Sequence, residues 1–256
     1  MKKLISIDLK ADLGFLKKPD INEGIYLTYN ALHKPVLLGI LGAIVGLEGY
    51  QVRGQLPEYY VRLKNLRVGI QPLQAPKGNF IKTVVQYNNG VGYASQEEGG
   101  NLIVKEQILI KPVFRCFLEL DEDDSLQERL LESLKNGEAD FVPYFGKNEF
   151  SLWWENHRKH AYEAFLFDKD YEIATIFTKS DQIVKEMVKK RIPSPFGMNG
   201  GEPKFMSFEE LPIGFDEQLL QYEKRPFVYT NFTLSREFKL DGLYRVQGQN
   251  GLIQLF

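Results

Sequence analysis

Only one cysteine, three histidines, four methionines and two tryptophans occur in 256 residues. With Cys116 alone, an internal disulfide and any cysteine-based structural zinc site are excluded. The cysteine usage fits a reducing interior, and hence a cytoplasmic protein. Neither sign of charge is in excess: 32 Lys and Arg against 34 Asp and Glu leave a formal net charge of −2. Any nucleic-acid site is therefore a local groove on a near-neutral body, and the overall charge counts mildly against nucleic acid. The most apolar stretch, Val36 to Leu47, falls far short of the roughly 20 residues needed to cross a bilayer. It reads as a buried helix, and no membrane partner is expected. Met1-Lys2-Lys3 leads straight into an alternating strand, which is not the pattern of a signal peptide. GxxxxGK[ST], strand-linked GxGxxG, HExxH, GxSxG and EF-hand loops are all missing, which lowers the prior on the common nucleotide, metalloprotease and hydrolase classes. No cofactor, metal site or catalytic residue is assigned. Hydrophobic content of 43% and charged content of 26% describe an ordinary soluble globular chain.

What is present begins in the first fifty residues. Ile5, Ile7 and Leu9 share one side of a strand over Leu4 to Leu9. A polar loop, Phe15 to Asn30, follows and ends in His33-Lys34-Pro35, which opens the helix of Val36 to Leu47. Pro35 suits the first helical turn, where its missing N–H costs nothing. Gly39, Gly42 and Gly46 form one stripe on which the helix can lie close to a sheet. The polar loop then sits at the helix N-terminus, where a phosphate is best received. Gln55 to Leu63 reads as a Pro-containing connection, Leu66 to Ile70 and Phe80 to Tyr87 as strands. Leu102 to Leu120 reads as a long strand bent or interrupted at Pro112. Between them, Asn88 to Asn101 has a tight-turn signal at Asn89-Gly90 yet outruns a minimal hairpin loop, so a projecting, mobile finger is expected.

Ser125-Leu-Gln-Glu128 is a capping-box pattern for a helix burying Leu126, Leu130, Leu131 and Leu134 and ended by Gly137. Strands are expected at Ala161 to Phe167, Tyr171 to Thr178, Phe227 to Leu234, Leu243 to Gln247 and Leu252 to Phe256. A short amphipathic helix is expected over Ser180 to Lys190, before a Gly/Pro-rich loop from Ile192 to Pro203. The order strand–helix–strand–strand–strand–helix–strand suits an α+β, ferredoxin-like sheet with the finger as an insertion. Helices would cover one face and leave the other for a partner.

Three groups of residues carry candidate chemistry. His157 and His160 form H-x-x-H on a helix or pre-strand turn; two metal ligands on one side are possible, but Arg158 and Lys159 between them favour a solvated basic face. His33 can serve as a general acid/base in metal-independent RNA cleavage, or as a binding or capping side chain, the reading preferred here. Tyr26, Tyr29, Tyr87, Tyr93, Tyr144 and Phe145 lie in or beside the polar loops. They are interleaved with Lys17, Lys18, Lys34, Lys147, Asn88, Asn89 and Asn101. Rings, cations and amides together are the equipment for unstacked single-stranded RNA. Lys185, Lys189, Lys190 and Arg191 favour a helix C-terminus and leave a phosphate contact open.

Several of these stretches together resemble one family. They are Pro19 to Tyr29, His33-Lys34-Pro35 with Leu38 to Ala43, Glu98 to Leu102, Gln107 to Pro112 and Pro143 to Asn148. The chain is similar to the 5′-handle-binding "Cas-five" family of RAMP proteins from type I CRISPR Cascade complexes, closest to the type I-B branch. The resemblance implies a single RAMP domain over residues 1–256, ferredoxin-like (RRM-like), with a β-hairpin thumb inserted at about residues 80–102 and a β-rich C-terminal part. It implies a non-catalytic subunit in antiviral defence that grips the 5′ handle of CRISPR RNA and caps the backbone of repeated RAMP subunits. It also implies docking of the large subunit, and through it indirect contact with target DNA. The RNA-binding residues implied are Lys17, Lys18, Tyr29, His33, Lys34, Asn88, Asn89, Tyr93, Asn101, Lys147 and Asn148. One branch of the family, in type I-C systems, cleaves precursor CRISPR RNA without metal. No Tyr–Lys–His set aligns with it here, and cleavage is the alternative reading.

Overall fold

The computed structural model describes residues 2–20, 24–89, 102–178 and 204–256. In chain order the first half contains β1 (Lys2–Ala11), β2 (Leu13–Gly14), β3 (Ile25–Tyr26), α1 (Lys34–Ile44), α2 (Glu58–Leu63), β4 (Arg67–Leu73), β5 (Lys82–Asn89), β6 (Leu102–Ile110) and β7 (Val113–Asp121). Then come α3 (Ser125–Asn136), β8 (Leu152–His160), β9 (Tyr162–Ala164), β10 (Phe177–Thr178), β11 (Met206–Asp216), β12 (Gln221–Thr230), β13 (Leu243–Val246) and β14 (Ile253–Gln254). The fold is α+β and mostly strand.

The central sheet has the order β4-β7-β1-β8, every neighbouring pair antiparallel. β1 lies inside it and is buried on both faces, as interior strands are. Ile5, Ile7, Leu9 and Ala11 join the main core beneath α1 and α3, while Leu4 joins Phe117, Val246, Ile253 and Leu255 on the other face. That second face is not left open as expected. The C-terminal strands cover one end of it, and Val68 and Phe256 exchange backbone hydrogen bonds at 3.1 and 3.0 Å. A Cβ on Gly69 would meet the Gln254 carbonyl oxygen at 2.8 Å, so the two backbones touch.

The glycine stripe of α1 also has a different neighbour. Gly39 and Gly42 face Tyr59 of α2, a helix lying within the segment expected to be an irregular connection, and not a sheet. α3 begins one residue earlier than its capping-box pattern implies: Asp124 is the N-cap, its side chain accepting from the Leu126 and Gln127 amides at 2.9 and 3.3 Å. Gly137 ends the helix at φ 74°, the left-handed position that glycine fills without a Cβ penalty.

The long fourth strand is two strands. The chain breaks at Lys111, φ 48°, and Pro112, and β6 and β7 belong to different sheets. β6 is the middle of a second sheet, pairing with β2, with β3 in parallel, and with β5 from Lys82↔Leu109 to Asn89↔Leu102. β11 and β12, the former unforeseen, form a long hairpin that packs Leu211, Phe215 and Phe227 into the main core. Phe165, Tyr171, Ile173, Phe177, Val228, Leu240, Leu243 and Leu252 build a smaller core beside it. Tyr171 to Thr178 is mostly irregular, with isolated bridges Tyr171↔Leu234 and Ile173↔Leu252. Residues 90–101, the greater part of the expected finger, and the expected helix and Gly/Pro-rich loop at 180–203 lie outside the described residues, as do Lys185, Lys189, Lys190 and Arg191. No helix among the described residues is long and apolar enough to cross a membrane.

Candidate nucleic-acid interface

The polar loop after β2 is tied to the second sheet by its own backbone. Lys17 and Thr28 form a bridge, Tyr29 N donates to Leu16 O at 2.7 Å, and Leu16 N donates to Thr28 Oγ1 at 2.9 Å. This closure brings Tyr26 beside Glu106 on β6 and sets Lys17 Nζ 4.0 Å above the Tyr26 ring. A second cation arrives on the turn of residues 143–150. Gly146 takes φ 89° there, and a Cβ would lie 1.9 Å from the Phe15 carbonyl oxygen, so the turn packs where only glycine fits. Lys147 Nζ then sits 4.5 Å above the Tyr87 ring, donates to Glu106 Oε2 at 2.9 Å and lies 2.9 Å from Glu149 Oε1. Burial works against its charge, but the hydrogen bonds to Glu106 and Glu149 outweigh this and hold its pKa above the usual lysine value.

Two lysine-over-tyrosine pairs thus flank β6. Around them Lys17 and Asn148 are exposed; Lys105 and Asn88 are exposed on the opposite face of the sheet, and no carboxylate among the described residues lies within ion-pair distance of Lys17 or Lys105. Lys105 and Glu106 are absent from the sequence-derived set. An acid and a base inside an otherwise apolar strand are the signal that marks them. Lys147 differs from Lys17: with two carboxylates on it, its charge is already answered within the chain.

Other expected residues are placed elsewhere. Lys18 Nζ lies 3.0 Å from Glu209 Oε1, and the same carboxylate accepts from the Asn30 and Ala31 amides at 3.1 and 3.2 Å. This clasp ties the loop to β11. Tyr29, His33 and Lys34 form no exposed rim, because all three are buried: Tyr222 of β12 packs on His33, and the C-terminal Phe256 carbonyl meets Lys34. His33 packs edge-on between Tyr29 and Tyr222 at 5.1 and 5.5 Å, and burial depresses its pKa to about 3, keeping the ring neutral. Its side chain makes no capping hydrogen bond, and His33 Nδ1 and Tyr29 Oη have no hydrogen-bond partner among the described residues. Desolvation raises the Tyr29 pKa. Lys34 Nζ donates to the Phe256 carbonyl at 3.2 Å; burial, with Arg67 adding to it, pushes its pKa down to about 8. Phe145 is core, stacked 5.8 Å from Phe114. Asn89 pairs through its backbone with Leu102, and Tyr93 and Asn101 lie outside the described residues.

The H-x-x-H pair lies on strand β8, not on a helix or turn, so its odd spacing sends the two rings to opposite faces. His160 Nε2 is 2.7 Å from Ser6 Oγ in the central sheet. Burial, Lys159 and then Lys135 of α3 lower the His157 pKa, which puts that ring on the helix side.

No family model and no curated protein matches this chain. Among solved structures, a chain of a "CRISPR RNA-guided surveillance complex" is similar at 15% identity over 90% of each chain, with a TM-score of 0.47. A CRISPR protein from Archaeoglobus fulgidus is similar at 12% identity over 99% of each chain, with a TM-score of 0.43. A chain of the type III-B Cmr-beta complex bound to cognate target RNA and AMPPnP is similar at 9% identity, covering 97% of this chain and 86% of that one, with a TM-score of 0.47.

Proposed function

We propose that this chain is a non-cleaving, RNA-binding subunit of a CRISPR effector complex, of the type I, "Cas-five" kind and closest to type I-B. In this reading it is a ferredoxin-like RAMP domain, whose thumb is the β5–β6 hairpin with the residues between, and it works in the cytoplasm. It grips the 5′ handle of CRISPR RNA, caps the repeated RAMP backbone subunits and docks the large subunit, meeting target DNA only through it. The central strand order β4-β7-β1-β8, with helices inserted after β1 and β7, supports the ferredoxin-like part.

The observation that carries the RNA reading is the pair of lysines held over Tyr26 and Tyr87 on either side of β6, where the register puts both rings on the Glu106 face of the sheet; Lys105 and Asn88 are exposed on the opposite face. Two rings that stack bases and a cation without a carboxylate partner, Lys17, then share one surface. His33 is neutral and covered, which favours grip over metal-independent cleavage. The test is binding of a single-stranded RNA bearing the 5′ handle by wild type, Lys17→Ala and Tyr26→Leu. Lys17 pairs with no carboxylate among the described residues, so folding is spared. We expect severalfold weaker binding from Lys17→Ala, about threefold to tenfold, with a shallower salt dependence. Unchanged affinity in both variants would remove this surface as the grip. Incubation of the chain with repeat RNA and EDTA covers the alternative: specific cleavage, lost in His33→Ala, would replace grip by processing.

A further inference from the structure

On the side of α1 away from the central sheet lies a groove of about 530 Å³. Its floor is Val36, Gly39, Ile40 and Ala43, and its walls include Tyr50, Tyr59, Phe141, Val142 and Tyr144. The walls are unusually bare for large apolar side chains: Val142 is 73% exposed, Tyr50 63%, and Phe141 and Tyr144 46% each. A contiguous patch of this kind on a folded chain marks a contact with another molecule.

The electrostatics of the groove select the class of molecule. Its lining includes no Lys or Arg and one carboxylate, Glu48. Neighbouring acids are already answered: Glu58 by Arg62 at 3.9 Å and Asp140 by Arg129. Glu48 Oε2 accepts only from the Gln51 amide at 2.9 Å, and no cation among the described residues pairs with it. A nucleic acid would bring phosphates to a carboxylate and find no cation. A basic, apolar ligand would find the reverse: tyrosine faces attract cations, and Glu48 adds a charge.

We propose that this groove docks a segment of another protein that combines apolar side chains with an arginine or lysine, the cation meeting Glu48 among the tyrosine rings. Tyrosine and arginine are the residues that most often dominate such contacts. The inference does not depend on the RNA reading. The turn of residues 143–150 serves both surfaces, lining the groove with Tyr144 and Gly146 and supplying Lys147 to the sheet.

The test is selection of random dodecapeptides displayed on phage against the full chain, followed by titration of the recovered sequences as fluorescein-labelled peptides. The expected peptides pair Leu, Phe or Met with Arg or Lys. Val142→Glu and Glu48→Lys should each weaken them by roughly tenfold or more. Exchanging the peptide's Arg for Glu should do the same against wild type and be partly restored against Glu48→Lys. Both substituted positions are exposed, so an unchanged thermal unfolding midpoint separates lost docking from lost folding. Acidic peptides, binding indifferent to both substitutions, or no recovered binder would each overturn the proposal. So would self-association of the wild type that Val142→Glu abolishes, because the occupant would then be a second copy.

Discussion

Lys147 reaches from the turn of residues 143–150 to Glu106 in the middle of β6, closing the seam between them with a 2.9 Å hydrogen bond. Glu106 is buried and Glu149, the second acid on the same ammonium, is half exposed. The buried acid therefore positions the cation over Tyr87, and the exposed one adds little.

That asymmetry gives the first prediction. Lys147→Ala leaves a buried carboxylate without its cation and should cost about 1–3 kcal/mol in urea denaturation. Glu149→Ala removes an exposed partner and should cost about 0.5 kcal/mol or less. Equal costs would mean that Glu106 is not what holds the turn.

The α1–α2 contact gives the second. A Cβ on Gly42 would meet Tyr59 Cβ at 2.4 Å, with the Tyr59 backbone close behind, whereas one on Gly39 would meet the Tyr59 ring at an ordinary 3.6 Å. Gly42→Ala should lose about 1–3 kcal/mol through forced separation of the helices. Gly39→Ala should be neutral or gain up to about 1 kcal/mol in helix propensity. Thermal unfolding of the two variants side by side reads the difference.

The third concerns Gly146 and Gly137, which share a left-handed backbone but not their surroundings. A Cβ at Gly137 meets open space; one at Gly146 lies 1.9 Å from the Phe15 carbonyl oxygen. Gly137→Ala should cost about 1 kcal/mol, the strain of the left-handed conformation alone. Gly146→Ala should cost about 2–4 kcal/mol, because the turn has to leave the loop. Calorimetry that found them equal would contradict the close approach.

The fourth follows from His33. Its folded pKa of about 3 lies below its ordinary value of 6.5, so the unfolded chain takes up a proton that the folded chain refuses. The neutral ring's contribution is fully present above pH 6.5 and is lost as pH falls toward 3, at about 1.4 kcal/mol per pH unit. The depressed carboxylates Asp8 and Glu119 weaken folding in the same direction but below their ordinary values of 3.8 and 4.5. Between pH 6.5 and 5, then, wild type should lose stability more steeply than His33→Gln. Parallel curves in that window would show that the ring is not buried as described.

Much of the framework was legible because its signals are local. Alternation of Ile5, Ile7 and Leu9 marked β1, and the spacing of Leu126, Leu130 and Leu134 before Gly137 marked α3. α2 escaped because six residues after Pro57 are too few to establish a period. β11 escaped because Glu209, Glu210 and Pro212 interrupt its apolar pattern. The site fared worse. Polar neighbours made Tyr29, His33 and Lys34 read as a rim, and nothing local announces that Tyr222 and the C-terminal Phe256, some two hundred residues further on, pack against His33 and Lys34.

By itself, then, the order of residues determined β1, α1 and α3 as elements, the break at Pro112 and the exclusion of an internal disulfide, since each rests on residues a few positions apart or on composition. Tertiary structure alone decided that Lys147 sits on Tyr87 while Lys34 is buried, that Lys18 serves a clasp with Glu209, and that α1 keeps an open groove beside Glu48. Those outcomes depend on which distant side chains meet. Burial and charge pairing, which set a group's protonation and reach, have no value until the chain has closed around it.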